Sequence, residues 1–395
     1  KYKVLGELWQ SPHVFYLTGY LPAAESNALI EELQNRFTLL AETADPGPQE
    51  DPPVKLENGF FTAPMESVVA GYSLPGKHEI DPSAVMAFFY YILFGMMLSD
   101  AAYGLLMVIG CSIALKKFRN MEQSMRKMLR MFLFCGISTT MWGVLFGSYF
   151  GDCIPVIAET FFHREITIPA LWFEPLSDPM RLLIFSFGVG VLHLFTGLGV
   201  QFYQLAKQKK YADALYDVVF WYLLVGGLIV VLLSTEIFQN IAKLPFQVPG
   251  TVATAAGILA GIGAVGIVFT AGRESRNPVK RFLKGLYGLY NVSGYLSDIL
   301  SYSRLLALGL ATGVISTVFN QLGAMLGGGV VGAIFFMVVF LIGHSMNMAI
   351  NVLGAYVHTN RLQFVEFFGK FYEGGGRPYT PFATHTRHFQ IKEEK

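Results

Sequence analysis

The sequence contains few charged residues: 14% of its 395 residues are Asp, Glu, Lys or Arg, whereas soluble domains carry about 25%. The formal net charge is +1 and no basic cluster occurs, so we expect no nucleic-acid partner. The three cysteines show no C-x-x-C spacing, which argues against a disulfide framework or a metal site. Hydrophobic residues make up 53% of the chain. They form apolar runs of about 20 residues, the pattern of an all-α polytopic membrane protein.

The first 80 residues are less apolar than the rest. Their pattern predicts two strands, one amphipathic helix and a Pro-rich linker, at 14–22, 37–45, 25–37 and 47–58 respectively. We therefore predict that residues 1–80 are a small α+β remnant of a cytoplasmic N-terminal domain. Because the chain begins with Lys1, we expect it to be the C-terminal part of a longer protein.

Residues 81–395 are predicted to form a transmembrane domain with a short cytoplasmic tail. The candidate membrane segments are 84–115, 127–151, 181–206, 213–234, 250–272, 285–326 and 328–369. Lys and Arg concentrate in the connectors 116–130, 207–210 and 273–284, which the positive-inside rule places in the cytoplasm. Both chain ends are then cytoplasmic if 84–115 is a hairpin of two short helices broken near Asp100. This gives eight helices, the last two long and tilted.

Arg304 is the first unusual residue in these apolar segments. It lies twenty positions after Lys284, about 30 Å along a helix, which is too far for its side chain to reach the cytoplasmic interface. Ser297 and Ser301 share its helical face, but Asp298 is rotated away by about 120°. A simple ion pair between Asp298 and Arg304 on one face is therefore not expected.

A polar stripe marks the last helix. Its members recur at alternating intervals of three and four residues, which places them on one helical face: His344, Asn347, Asn351, Gly354, His358 and Arg361. The stripe fits hydrogen bonding between helices or the wall of an aqueous passage. Asp100 is similarly ambiguous, because it suits either a turn or an ion relay at membrane depth.

An arginine in a region of low dielectric lowers the pKa of a carboxylate that approaches it, and its fixed charge repels cations that would leak past. The chain has no helix with a lone central glutamate in an ion-carrier setting. We therefore expect that carboxylate on a partner protein. No P-loop, H-E-x-x-H or nucleophile elbow occurs, so we predict neither an ATP site nor a cofactor on this chain.

Five segments resemble the a subunit, or subunit I, of rotary V-type and A-type ATPases in its prokaryotic form. They are PPVKLEN–ESVVAGYSLPGKHEIDPS (52–83), FFYYILFGMMLSDAAYGLL (88–106), WGVLFGSYFGD (142–152), YLSDILSYSRLLALGLA (295–311) and GHSMNMAINVLGAYVHTNRLQFVEFFGKFYEGGGRPYTPF (343–382). The resemblance implies a membrane stator beside a ring of proteolipid c subunits. It also implies an N-terminal arm bound to peripheral stalks, and an indirect connection to the central stalk and the soluble ATPase sector.

The resemblance also implies roles for individual residues. Arg304 matches the arginine that faces the ring carboxylate, and Arg361 matches the second arginine, on the last helix. Asp100 matches an acidic position of the outer half-channel. Asn351 and Thr312 stand where eukaryotic members carry Glu and His. The predicted ion pathway comprises Asp100, Ser297, Asp298, Ser301, His344, Asn347, Asn351, His358 and Glu366.

The implied mechanism uses two offset aqueous half-channels, one open to each side of a prokaryotic cell membrane. H+ or Na+ enters one half-channel, rides on the ring carboxylate and leaves by the other, and Arg304 separates the two. His344 and His358 favour H+, although a water-filled path would also pass Na+. A stand-alone secondary transporter or channel and a purely structural membrane anchor are the alternatives.

Overall fold

The computed structural model describes residues 8–47, 50–77, 79–242, 248–273 and 277–381. Contacts divide the chain into two compact units. The smaller unit comprises Lys1–Glu57, Ser73–Glu79 and Gly374–Lys395, and the larger comprises Asn58–Tyr72 and Ile80–Glu373.

The described part of the smaller unit contains one helix and a minimal sheet. Helix α1 spans Ala23–Arg36, which confirms the predicted helix. Strands β1 (Trp9–Gln10) and β2 (Phe15–Tyr16) pair antiparallel, so the predicted strand at 14–22 is reduced to two residues. The strand predicted at 37–45 is wrong, because this segment is irregular and largely exposed. Its apolar residues have neither a neighbouring strand nor a core to pack on, and a strand needs both.

The larger unit is helical throughout its regular structure. Its helices are α2 (Glu66–Tyr72), α3 (Ser83–Leu98), α4 (Ala101–Lys117), α5 (Gln123–Phe146), α6 (Cys153–Phe162), α7 (Pro179–Lys207), α8 (Tyr211–Ser234, with a π-helical turn at Leu215–Val219), α9 (Glu236–Ala242), α10 (Gly250–Thr270), α11 (Pro278–Tyr290), α12 (Val292–Ser301), α13 (Ser303–Ala324) and α14 (Val330–Arg361). A π-helical turn, Leu362–Phe367, and a 3-10 turn, Phe368–Lys370, extend α14.

Within the described residues, six helical segments are long and apolar enough to cross a membrane. They are Gln123–Phe146, Pro179–Lys207, Tyr211–Ser234, Gly250–Thr270, Pro278–Ala324 and Val330–Lys370. Helix α3, of 16 residues, falls below that length. The chain is thus a multi-pass membrane protein of helical fold, and the count of eight spans stays a prediction.

The break predicted near Asp100 is confirmed, since α3 ends at Leu98 and α4 begins at Ala101. Both helices lie along α5. On the α3 side Gly95 approaches Ser138, and on the α4 side Gly104 approaches Thr140. Small residues at these positions let the helix backbones come close together, as is common between membrane helices.

The last two long segments form a helical pair, and the first of them is interrupted twice. The segment predicted as one helix at 285–326 is divided at Asn291 and at Tyr302. The two segments are joined by a bend at 325–329, where Gly327 and Gly329 have φ values of 69° and 105°. Helix α13 packs against α3, α7 and α14, which makes it the central helix of this part of the fold.

The close approach of α5 to the α3–α4 break gives a stability prediction. A Cβ atom on Gly143 would lie 1.9 Å from the Ala101 backbone nitrogen, so Gly143→Ala must push the α3–α4 break away from α5. We expect the purified protein to lose about 1–3 kcal/mol of unfolding free energy, measured as a lower thermal midpoint in detergent. Gly110→Ala is the control, because nothing lies within 4 Å of a Cβ there. An equal midpoint for the two variants would contradict the described packing.

Candidate functional site

Arg304 lies two residues beyond the break at Tyr302. The Tyr302 side chain is fully buried, and its hydroxyl lies 2.7 Å from Nδ1 of His193 on α7. The His193 ring stacks between Phe89 and Phe367, at 4.3 Å from each. This buried cluster fixes the break, and the break in turn sets where the Arg304 side chain leaves α13.

Arg304 pairs with a carboxylate of its own chain. Its Nη2 atom lies 3.6 Å from Oε1 of Glu366, whose side chain is 2% exposed. Glu366 lies in the π-helical turn that continues α14. Such turns often occur at functional sites, and here the turn buries the carboxylate.

Asp298 has a different partner. Its Oδ2 atom lies 2.5 Å from Nζ of Lys370, and Lys370 also lies 3.9 Å from the centre of the Tyr295 ring. The prediction that Asp298 does not pair with Arg304 is therefore confirmed. Sequence reasoning missed Lys370 because it follows the long helix and carries no periodic signal.

Asp100 is the N-cap of α4 and accepts five hydrogen bonds. Its Oδ1 atom accepts from the backbone N–H groups of Ala102, Tyr103 and Phe150 at 3.0–3.1 Å. Its Oδ2 atom accepts from the Ser148 hydroxyl at 2.7 Å and from the Gly151 N–H at 2.9 Å. This coordination favours the turn-residue interpretation, since the carboxylate ties the α3–α4 break to the turn after α5.

The first half of the α14 stripe, from His344 to Asn351, forms a buried hydrogen-bond network with α4 and α13. The Tyr103 hydroxyl lies 2.6 Å from Nδ1 of His344 and 3.0 Å from the Asn347 amide nitrogen. That amide also reaches the Ser316 hydroxyl at 2.9 Å. Asn351 extends the network by donating to the Asn347 carbonyl at 2.9 Å. The network matches the helix-bonding interpretation of the stripe.

Asn320, which contacts His344, identifies the donors and acceptors of this network. The Asn320 amide nitrogen donates to the Phe150 carbonyl at 2.8 Å and to Asp152 at 2.9 Å, so its Oδ1 must face Nε2 of His344 at 2.9 Å. Nε2 therefore carries a proton. In the neutral imidazole Nδ1 is then an acceptor, and the Tyr103 hydroxyl donates to it.

The second half of the stripe, from His358 to Arg361, is more exposed. His358 is half-buried, and its Nδ1 atom has no hydrogen-bond partner within the described part of the chain. Arg361 is exposed on α14. On α12, Ser297 is exposed, and its carbonyl accepts from the Ser301 hydroxyl at 3.0 Å. The structure thus separates the predicted site residues into a buried network and an open group that includes the arginines.

A cavity of about 300 Å³ borders α13. Its polar lining comes from the α3–α4 break, the turn after α5 and α13, with Ser99, Ser148, Asp152 and Thr312 among its residues. Gly309 is also part of the lining, and it lies five residues, or about 7.5 Å of helix, from Arg304. His344, Asn347 and Asn351 are not part of this lining, so they do not form a wall of this cavity.

A second cavity, of about 520 Å³, lies at the other end of α12. Its lining includes Gln201, Asp217, Ser293, Tyr295 and Lys370. In chain order along α12 and α13, Arg304 falls between the residues that line the two cavities.

This arrangement defines a helical, multi-pass membrane protein with a partly buried arginine that falls, in chain order, between the residues lining two cavities. Residues 291–384 match the V-type ATPase 116kDa subunit family. The chain is 31% identical to the A-type ATP synthase subunit I of Methanocaldococcus jannaschii and 32% identical to that of Thermococcus kodakarensis. These alignments cover 94% and 97% of this chain and 55% and 56% of the relatives.

A bacterial relative extends this similarity. The V-type ATP synthase subunit I of Chlamydia pneumoniae is 25% identical over 89% of this chain and 58% of its own length. The resemblance to subunit I of V-type and A-type ATPases is thereby confirmed. The chain spans a little over half the length of the curated relatives it matches.

The coordination of Asp100 gives a second prediction. In Asp100→Asn the amide nitrogen cannot accept the Gly151 N–H, so a buried donor is left unpaired. We expect a loss of about 2–4 kcal/mol of unfolding free energy, measured by equilibrium denaturation in detergent. The matched control is Asp178→Asn, because Asp178 is also an N-cap but makes no capping hydrogen bond. Unchanged stability in Asp100→Asn would favour the relay interpretation.

Proposed function

We propose that this chain is the membrane stator of a rotary V/A-type ATPase and guides H+ or Na+ to and from carboxylates on a ring of c subunits. The observation that carries the proposal is the position of Arg304. It lies on an interrupted helix, between the residues of α12 and of α13 that line the two cavities, with its side chain 20% exposed.

The cavity beside Ser99 and Gly309 is the proposed outer half-channel. Its lining includes Asp152 and Glu174, carboxylates that attract cations. The cavity beside Ser293 and Lys370 is the proposed cytoplasmic half-channel. Because Arg304 separates the two, a cation cannot pass from one to the other without meeting a fixed positive charge.

The proposed ring-facing surface includes Arg304 and the exposed Arg361. The neighbouring α12–α14 surfaces carry exposed apolar side chains, such as Leu300 at 51% and Val357 at 50%, which suit lipid or an apolar membrane partner. The remaining partners are peripheral-stalk subunits, through the N-terminal arm, and the central stalk and soluble sector indirectly. In this proposal ATP is hydrolysed or made in the soluble sector, and rotation couples that reaction to ion transport.

The stator model places both ends of the chain and the 116–130 connector in the cytoplasm. We expect that a membrane-impermeant thiol reagent applied to intact cells labels neither Tyr20→Cys nor Glu122→Cys in a background lacking the native cysteines. Glu165→Cys, in the connector predicted to face outside, is the positive control. Labelling at residue 20 or 122 would overturn the proposed topology.

Arg304→Ala tests the function itself. We expect the assembled complex to lose ATP-driven ion pumping in vesicles, because the charge that separates the half-channels is gone. Pumping is followed with and without Na+, which also identifies the ion. Arg164→Ala, an exposed arginine in the 152–180 connector, is the matched control and is expected to pump normally. Coupled pumping by Arg304→Ala would refute the stator proposal.

A further inference from the structure

The two carboxylates most deeply buried in the larger unit are held in opposite ways. Asp100, 1% exposed, accepts five hydrogen bonds. Glu366, 2% exposed, has Arg304 at 3.6 Å from Oε1. Its Oε2 atom has no hydrogen-bond partner among the described residues. The Ser301 hydroxyl is shared between the Glu366 carboxylate and the Ser297 backbone carbonyl. Glu366 is therefore paired but loosely held.

The Arg304 guanidinium is held as weakly as the Glu366 carboxylate. Its contact with Glu366 is longer than a charge-assisted hydrogen bond, which spans about 2.7–2.9 Å. The Nη1 atom of Arg304 has no hydrogen-bond partner within the described ranges. The Asp298–Lys370 ion pair has an N–O distance of 2.5 Å, so a tight ion pair is possible in this part of the fold. The Arg304–Glu366 ion pair, at 3.6 Å, is the longer of the two.

Arg304 also borders an exposed surface. Its side chain is 20% exposed, Ser303 next to it is exposed, and Leu300, one helical turn before it, is 51% exposed. A guanidinium at such an edge reaches inward to Glu366 or outward to a group on another protein.

We propose that Glu366 is the resident counter-ion of Arg304, and that the guanidinium exchanges between Glu366 and a carboxylate on the membrane partner. This inference rests on the proposed stator function. It assigns Glu366 a role as a positioning residue for Arg304, rather than a place on the ion path.

The physical reason is the cost of an unpaired charge at membrane depth. A partner carboxylate that binds its ion becomes neutral and no longer pairs with Arg304. Without a second carboxylate the arginine would then be an unpaired cation, and it would hold the next ionised carboxylate too strongly. When the partner carboxylate is neutral, Arg304 pairs with Glu366 instead. The arginine therefore exchanges between two ion-paired states.

The surrounding structure holds Glu366 ready for this exchange. The next residue, Phe367, is fully buried and stacks on His193 at 4.3 Å. His193 in turn lies 2.7 Å from the hydroxyl of Tyr302, at the break before Arg304. One buried cluster therefore fixes the backbones next to both members of the ion pair. Each charged group keeps one atom, Nη1 of Arg304 and Oε2 of Glu366, without a hydrogen-bond partner among the described residues.

The test compares Glu366→Gln and Glu366→Asp in the assembled complex in vesicles, with Glu159→Gln, an exposed position on α6, as the matched control. We expect Glu366→Gln to pump at least tenfold more slowly. We also expect no rise in passive ion leak through the membrane sector, because Arg304 is still present. Glu366→Asp keeps the charge and is expected to restore at least a third of the rate.

The outcomes separate this inference from the stator proposal. If Arg304→Ala pumps normally, the stator proposal fails and this inference with it. If Arg304→Ala is inactive while Glu366→Gln pumps at the rate of the unmodified complex, only the counter-ion role is overturned. A leak in Glu366→Gln equal to that of Arg304→Ala would also overturn it, by placing Glu366 on the barrier itself.

A variant that fails to assemble still gives a result. If Glu366→Gln leaves Arg304 as an unpaired buried charge, the double variant Glu366→Gln/Arg304→Gln removes both charges and is expected to recover assembly. Recovery to at least half the normal complex yield supports the pair. Yield no better than that of the single variant contradicts it.

Discussion

The requirement that buried charges and polar groups be paired governs the membrane part of this structure. Each regular helix satisfies its own backbone, but side chains such as Asp100 and Arg304 need partners from other segments. The fold supplies them by interrupting helices. Asp100 lies where α3 gives way to α4, Arg304 follows the interruption at Tyr302, and Glu366 lies in a π-helical turn.

Close packing of small residues complements these interruptions. Glycines bring α3, α4 and α5 within backbone contact. Three of the five donors to Asp100 depend on that proximity, because they come from the turn after α5. The buried network of Tyr103, His344 and Asn347 then joins α4 to the last two long helices. Polar bonding and glycine packing thus place the α3–α4 break and α13 beside the same cavity.

The sequence predicted this organisation unevenly. Apolar length located the long helices, and the break near Asp100 followed from the charge balance of the connectors. The interruption at Tyr302 was not predicted, because it depends on His193 from another helix and no local residue requires it. The strand at 37–45 was wrong because local apolar content does not supply a neighbouring strand. Helical periodicity grouped the α14 stripe correctly, but it could not distinguish hydrogen bonding from a passage.

The two halves of the α14 stripe differ in how tightly their polar groups are held, and this difference has a physical explanation. His344 and Asn347 are fully engaged with neighbouring helices, so this half of the stripe fixes the helix against α4 and α13. His358, Arg361 and the Arg304–Glu366 pair are less constrained. A charge that must change partners needs a loose pair, and a loose pair keeps its position only if the surrounding backbone is rigid. The saturated network and the buried Tyr302–His193 cluster provide that rigidity, which is why tightly and loosely held polar groups occur side by side.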